Sequence, residues 1–148
     1  RWTMGKLVKG LHHVTSMASD AKENNQFFTQ TLGLRRVKKT VNFDAPEVYH
    51  LYYGDGVGTP GSVMTYFPFG RMPRGKRGVG EVGVTEFAVP TGTLDFWKEH
   101  LAKNNVGGLR SDRFLCDARL EFDGDGFALV EADPERAHGL DCRWHRQR

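Results

Sequence analysis

The chain has 148 residues, of which 39% are hydrophobic and 26% charged, a composition typical of one soluble globular domain. No apolar run reaches the ~20 residues that a membrane-spanning helix needs, and the first residues lack the apolar core of a secretory signal. The net charge of +3 comes from short basic clusters without a nucleic-acid-binding motif, so we expect a cytoplasmic protein with no nucleic-acid or membrane partner.

The first half of the chain predicts the element order βαβββ. Residues 7–18 are apolar and β-prone, which is typical of a strand. A helix follows, because Asp20 and Glu23 have the spacing of a capping box and an apolar stripe at helical spacing leads to Gly33. Turn-forming residues then separate three further strand segments, which are residues 35–43, 48–53 and 62–67.

The same order recurs in the second half. Residues 82–89 predict a strand, and Thr93 is the expected N-cap of a helix with its own apolar stripe. Two later segments, 114–122 and 127–131, predict strands. The recurrence indicates an α+β fold of two βαβββ modules within one domain. We place the domain at residues 1–134, module one at about 7–69, module two at about 80–134 and a glycine-rich linker at 70–80.

The last residues and the cysteines contribute little to this fold. Residues 138–148 carry no hydrophobic period, so residues 135–148 are predicted to form a tail outside the domain, with a disordered segment and a remnant of truncation as the alternatives. With only Cys116 and Cys142 in the chain, we expect two free thiols in a reducing compartment.

Two adjacent histidines stand in the first predicted strand, within the segment GLHHVT at residues 10–15. Neighbouring side chains of a regular strand point to opposite faces, so His12 and His13 are expected to face apart. A neutral imidazole suits Fe, Mn or Zn. The alternative is that either histidine is a hydrogen-bonded residue of the core.

A second cluster is the aromatic segment YHLYY at residues 49–53. Alternation places His50 and Tyr52 on one face of this strand and the other aromatic residues on the opposite face. An imidazole and a phenol on one face are able to hydrogen-bond a phenolic ligand. The alternative is an aromatic strand that packs and leaves its polar tips at the rim.

Several segments together resemble the ring-cleaving hydroquinone and catechol dioxygenase branch of the vicinal-oxygen-chelate superfamily, which also contains glyoxalases and bleomycin-resistance proteins. The GLHHVT segment with Asp20 seven residues after His13 is typical of the superfamily's module opening. Features of the branch itself are VKKTVNFD at 37–44, YHLYYGD at 49–55, GTPG at 58–61 and LDFW at 94–97. The resemblance extends over roughly residues 8–134 and to the amino-terminal half of such enzymes.

The resemblance implies paired modules whose sheets curl around a divalent metal. It places His13 at the metal-ligand position of the first strand, and His12 and Thr15 at positions that line the substrate pocket. Glu131 in the last strand lies near the usual carboxylate ligand, and a displacement by one residue would reverse its face. In module two, Val84 occupies the first-strand ligand position, with Glu86 two residues further on the same face.

These observations predict a metal-dependent, extradiol-type dioxygenase that cleaves catechol- or hydroquinone-like rings with O₂. Fe(II) or Mn(II) is the expected cofactor, with His13 and Glu131 as candidate ligands. His12, Thr15 and His50 are candidate catalytic residues, and Tyr52 is a candidate substrate-binding residue. Because members of this branch have four modules, we expect a homodimer. The alternatives are a non-catalytic small-molecule-binding module and an inert amino-terminal half of a longer enzyme.

Overall fold

The computed structural model describes residues 10–70, 73, 75–76, 78–114, 117–122, 126–132 and 141–143. Module one consists of strand β1 (His13–Ala18), helix α1 (Ala21–Gln26) with a π-helical turn (Phe27–Thr31), and strands β2 (Arg35–Val41), β3 (Tyr49–Gly54) and β4 (Val63–Pro68). Its sheet has the order β1-β4-β3-β2, in which only β1 and β4 are parallel.

Module two repeats this arrangement. It consists of strand β5 (Val84–Pro90), helix α2 (Leu94–Lys103), and strands β6 (Arg110–Phe114), β7 (Asp117–Phe122) and β8 (Phe127–Ala132). Strand β5 is parallel to β8 as β1 is to β4, and the sheet order is β6-β7-β8-β5-β9, where β9 is the short strand Asp141–Arg143. The predicted fold class of two βαβββ modules is therefore confirmed.

Two details differ from the sequence prediction. Residues 114–122 were predicted as one strand, but they contribute to two, because β6 ends at Phe114, β7 begins at Asp117 and the two strands pair antiparallel. Strand β9 (Asp141–Arg143) pairs with β5, although it lies in the range that was expected to form a tail. Cys116 and the thiol of Cys142 lie outside the described residues, so the expectation of free thiols is not addressed.

Both helices begin where the sequence predicts, but only α1 has the predicted side-chain cap. The Asp20 carboxylate accepts hydrogen bonds from the backbone N–H groups of Lys22 and Glu23, both at 2.8 Å. Thr93 makes no side-chain cap; its hydroxyl instead donates to the carbonyl oxygen of Pro90 at 2.6 Å. None of the described helices is long and apolar enough to cross a membrane.

One aromatic core joins the two modules. Phe28 is 2% exposed and its ring lies 4.9 Å from that of Tyr53 and 4.8 Å from that of Tyr66, both on the module-one sheet. The same ring meets Phe127 of β8 edge-on at 5.9 Å. These contacts bury one face of the module-one sheet, so its opposite face is the one left for a polar site.

Candidate functional site

The open face of the module-one sheet carries a row of polar side chains. The pleat of β1 directs His13 and Thr15 to this face, whereas Val14 packs against the core. Pairing of β1 with β4 brings Thr15 beside Thr65, and their hydroxyl oxygens are 2.8 Å apart. Thr65 is fully buried and is also the register partner of Tyr52 on β3. A line of hydroxyl groups therefore crosses the sheet from β1 to β3.

His50 and Tyr52 share this face, as their alternation predicts. The Tyr52 hydroxyl lies 2.9 Å from Nδ1 of His50, and the imidazole stacks on Phe67 with ring centroids 4.0 Å apart. Burial lowers the pKa of His50 below its usual 6.5, and the nearby charges of His13 and Lys38 lower it further. The imidazole is therefore held in its neutral form. Its Nε2 is buried and has no hydrogen-bond partner among the described residues.

Lys38 joins this cluster because of an irregularity in β2. The register between β2 and β3 shifts between Arg36 and Lys38, which brings Lys38 opposite Tyr52. The ammonium lies 5.6 Å from the centroid of the Tyr52 ring. The alternation of residues in β2 does not indicate such a shift. Lys38 was therefore not predicted as a site residue.

His12 and His13 do not face apart. Their Nδ1 atoms are 3.0 Å apart and their rings meet edge-on at 5.2 Å. The expectation of opposite faces was wrong because β1 begins at His13, so His12 precedes the regular pleat. Both rings are exposed at one end of the polar row.

Glu131 is not brought to this site. Strand β8 directs it to the face that packs on α2, where its Oε1 accepts hydrogen bonds from the backbone N–H groups of Gly92 (2.7 Å) and Leu94 (3.3 Å). Glu131 thereby provides the cap for α2 that Thr93 was expected to supply. Its register partner, Val89, is a buried core residue.

The corresponding face of module two is filled by charges. Glu86 and Arg119 are 4% and 8% exposed, and they form an ion pair at 3.3 Å. Arg119 also pairs with Glu121 at 2.5 Å. Glu86 occupies the pleat position that corresponds to Thr15 in module one, with Val84 at the position that corresponds to His13. Ion pairing therefore occupies this face.

The described residues do not form a complete metal site. They contain no group of three or more histidine, cysteine, aspartate or glutamate side chains placed to hold one ion. His13 offers an imidazole beside His12, but no carboxylate accompanies it. A divalent ion on this face needs further ligands from outside the described part of the chain.

The sequence is similar to parts of known enzymes. It is 53% identical over 116 residues to MhqE of Bacillus subtilis (strain 168), which is named as a ring-cleaving dioxygenase; the match covers 78% of this chain and 38% of that protein. It is 38% identical over 134 residues to the chlorohydroquinone/hydroquinone 1,2-dioxygenase of Sphingobium indicum, covering 86% of this chain and 42% of that enzyme. The chain thus spans less than half the length of these relatives. No family model matches it.

Solved structures agree on the fold. A crystal structure from Bacillus subtilis, described as a dioxygenase, superposes with a TM-score of 0.79 at 40% identity over 84% of this chain and 41% of that one. A glyoxalase/bleomycin resistance protein/dioxygenase domain from Frankia sp. EAN1pec superposes with a TM-score of 0.64 at 16% identity. That match covers 88% of this chain and 97% of the Frankia domain, so it defines the fold alone.

Proposed function

We propose, from the premise that this chain is homologous to the ring-cleaving dioxygenases and has their glyoxalase-type fold, that it acts in the cleavage of hydroquinone- or catechol-like rings by O₂. The observation that carries the proposal is the polar row on the open face of module one, which includes His13, Thr15, Tyr52 and His50. These hydroxyl and imidazole groups are able to hydrogen-bond the oxygen atoms of a phenolic ring that lies across the strands.

In this proposal His13 is one ligand of a divalent ion, Fe(II) or Mn(II), in an extradiol-type enzyme. Because the described residues supply no complete site, a second copy of the chain provides the missing ligands in a homodimer. Glu131 is not part of our proposal, since its carboxylate already caps α2. No reaction step is assigned to the ion itself.

The residues on the open face have separate roles in the proposal. His50 is neutral and its Nδ1 is linked to the Tyr52 hydroxyl, so the pair is suited to take up a proton from a phenolic hydroxyl through Tyr52 and to hold it at Nδ1. Thr15 offers a hydroxyl fixed by Thr65 for hydrogen bonding to the substrate. His12 is a candidate acid or base at the exposed end of the row. We expect this chemistry to take place in the cytoplasm.

The test is oxygen consumption by the purified chain, loaded anaerobically with Fe(II), when hydroquinone or catechol is added. We expect uptake of one O₂ per ring and recovery of both labelled oxygen atoms from ¹⁸O₂ in the ring-opened product. Failure to consume oxygen in a sample that is dimeric and contains bound iron would refute the proposal.

A non-catalytic binding module is the second candidate. The lack of a three-ligand group in the described residues favours it, because a binding protein needs only an aromatic groove. Metal analysis of protein prepared without chelator separates the two candidates. A binding module retains aromatic ligands in the absence of bound metal, and an inert half of a longer enzyme binds neither.

A further inference from the structure

We infer that Lys38 and Nε2 of His50 form a subsite for an anionic oxygen carried by an aromatic ligand on the open face of module one. The inference rests on the proposed function for one point only, namely that the ligand is an aromatic compound with an ionisable oxygen. Two donor groups on neighbouring strands carry the assignment.

The first donor is the ammonium group of Lys38. It lies above the Tyr52 ring and pairs with no carboxylate among the described residues, although the chain contains many acidic side chains. The positive charge of Lys38 also contributes to lowering the pKa of the nearby His50. A cation beside a half-buried ring and without a counterion is suited to hold an anion.

The loop after β3 supports the irregularity that positions Lys38. The Asp55 carboxylate accepts hydrogen bonds from the backbone N–H groups of Val57, Gly58 and Thr59, at 3.1, 2.7 and 3.0 Å. Gly58 has a φ of +73°, and a β-carbon there would lie 3.4 Å from the side chain of Val37. The loop therefore packs on the residue that separates Arg36 from Lys38.

The second donor is the imidazole of His50. Its Nδ1 is taken by the Tyr52 hydroxyl, while Nε2 is buried without a partner among the described residues. When Tyr52 donates to Nδ1, the proton of the neutral ring lies on Nε2. A buried N–H without an acceptor is costly, so an oxygen atom of a ligand is the partner it lacks.

Strand register separates this subsite from His13. His13 pairs with Val63 on β4, whereas Leu51, the neighbour of His50, pairs with Tyr66 three residues further along β4. His13 and His50 are therefore two strands and about four residues apart, roughly 16 Å at ~4.8 Å per strand and ~3.3 Å per residue. The two oxygens of one hydroquinone ring do not span this separation, so the subsite is expected to hold its anionic oxygen independently of His13.

The chain provides its own control. Lys39, the next residue, lies 3.7 Å above the Tyr49 ring on the opposite face of the same hairpin. Lys38→Met and Lys39→Met therefore remove the same charge from two lysine–tyrosine pairs on opposite faces of the hairpin. His50→Phe removes the imidazole nitrogens and keeps a ring to stack on Phe67.

The experiment is a spectroscopic titration of the full chain with 4-nitrophenol, without metal and without oxygen, using 4-nitroanisole as the probe that lacks an ionisable oxygen. We expect 4-nitrophenol to bind as its yellow anion, with a lowered pKa, and about tenfold more tightly than the anisole. Lys38→Met and His50→Phe should each lose most of this preference, whereas Lys39→Met should keep it.

Equal losses for Lys38→Met and Lys39→Met, or no binding of 4-nitrophenol at millimolar concentration, would overturn the assignment. Because no turnover is measured, inactivity toward hydroquinone would refute the proposed function and leave the anion subsite intact. The melting temperature of each variant, measured in parallel, shows that a loss of binding does not come from unfolding.

Discussion

The Nδ1 atoms of His12 and His13 are 3.0 Å apart, so in the neutral pair one ring donates a hydrogen bond to the other. If His13 binds an ion through Nε2, its Nδ1–H is the donor and His12 the acceptor. Hydrogen bonds of this kind fix the orientation of a metal-binding imidazole. The two adjacent histidines thus have different expected roles.

We predict that His13→Ala abolishes metal binding, whereas His12→Ala keeps the metal and lowers turnover. Removing one ligand leaves too few groups to fix the coordination geometry. Metal stoichiometry and melting temperature are measured on the same samples. A folded His13→Ala protein with its full metal content would show that His13 is not a ligand.

Stability is predicted to depend on pH through His50. Its folded-state pKa is lowered, so the unfolded chain binds more protons as pH falls below 6.5. The free energy of unfolding should therefore decrease from about pH 7.5 to about pH 5, and it should decrease less in His50→Phe. Urea unfolding in the presence of chelator measures both. An identical decrease in the two proteins would exclude His50 as the cause.

Glu131→Ala should destabilise the fold by about 1 kcal/mol, because the first turn of α2 loses the carboxylate that accepts from Gly92 and Leu94. Glu131→Gln keeps an acceptor oxygen and is expected to lose less. Metal content should be unchanged in both variants. Loss of metal without loss of stability would instead support Glu131 as a ligand.

Phe28→Ala is expected to cost about 3–5 kcal/mol, because the ring fills the core between the two modules. Phe43→Ala is the matched control, since Phe43 is 97% exposed and its removal opens no cavity. Chemical denaturation gives both values. Similar losses for the two variants would contradict the described packing.

The homodimer is tested by multi-angle light scattering. We expect a mass of about twice the 16.7 kDa of one chain, because a second copy is needed to complete the metal site. A 16.7 kDa species at micromolar concentration would contradict this expectation.

The sequence was informative where side chains alternate regularly. His50 and Tyr52 were predicted on one face of β3, and the structure joins them by a hydrogen bond. Strand β6 was missed because its sequence, RSDRF, has no apolar alternation, although it pairs with β7 along its whole length. Propensity alone does not identify such a strand.

The sequence prediction was wrong at positions where a shift of one residue moves a side chain to the other face of the sheet. Glu131 was expected near a metal, yet its position in the pleat of β8 directs it to α2. His12 was expected to face away from His13, but it precedes the strand whose pleat would separate them. Lys38 was overlooked because the register shift in β2 depends on tertiary packing around Val37.

The ion pair between Glu86 and Arg119 shows how the two modules use corresponding positions differently. Thr15 and Glu86 occupy corresponding positions, but the hydroxyl faces an open surface and the carboxylate is buried in an ion pair. A substitution at Thr15 removes one hydrogen bond to Thr65, whereas one at Glu86 leaves the buried charge of Arg119 without this partner, which is the larger cost. Of two modules with the same fold, one therefore offers polar groups to a ligand, while the other uses the corresponding positions to hold its own strands together.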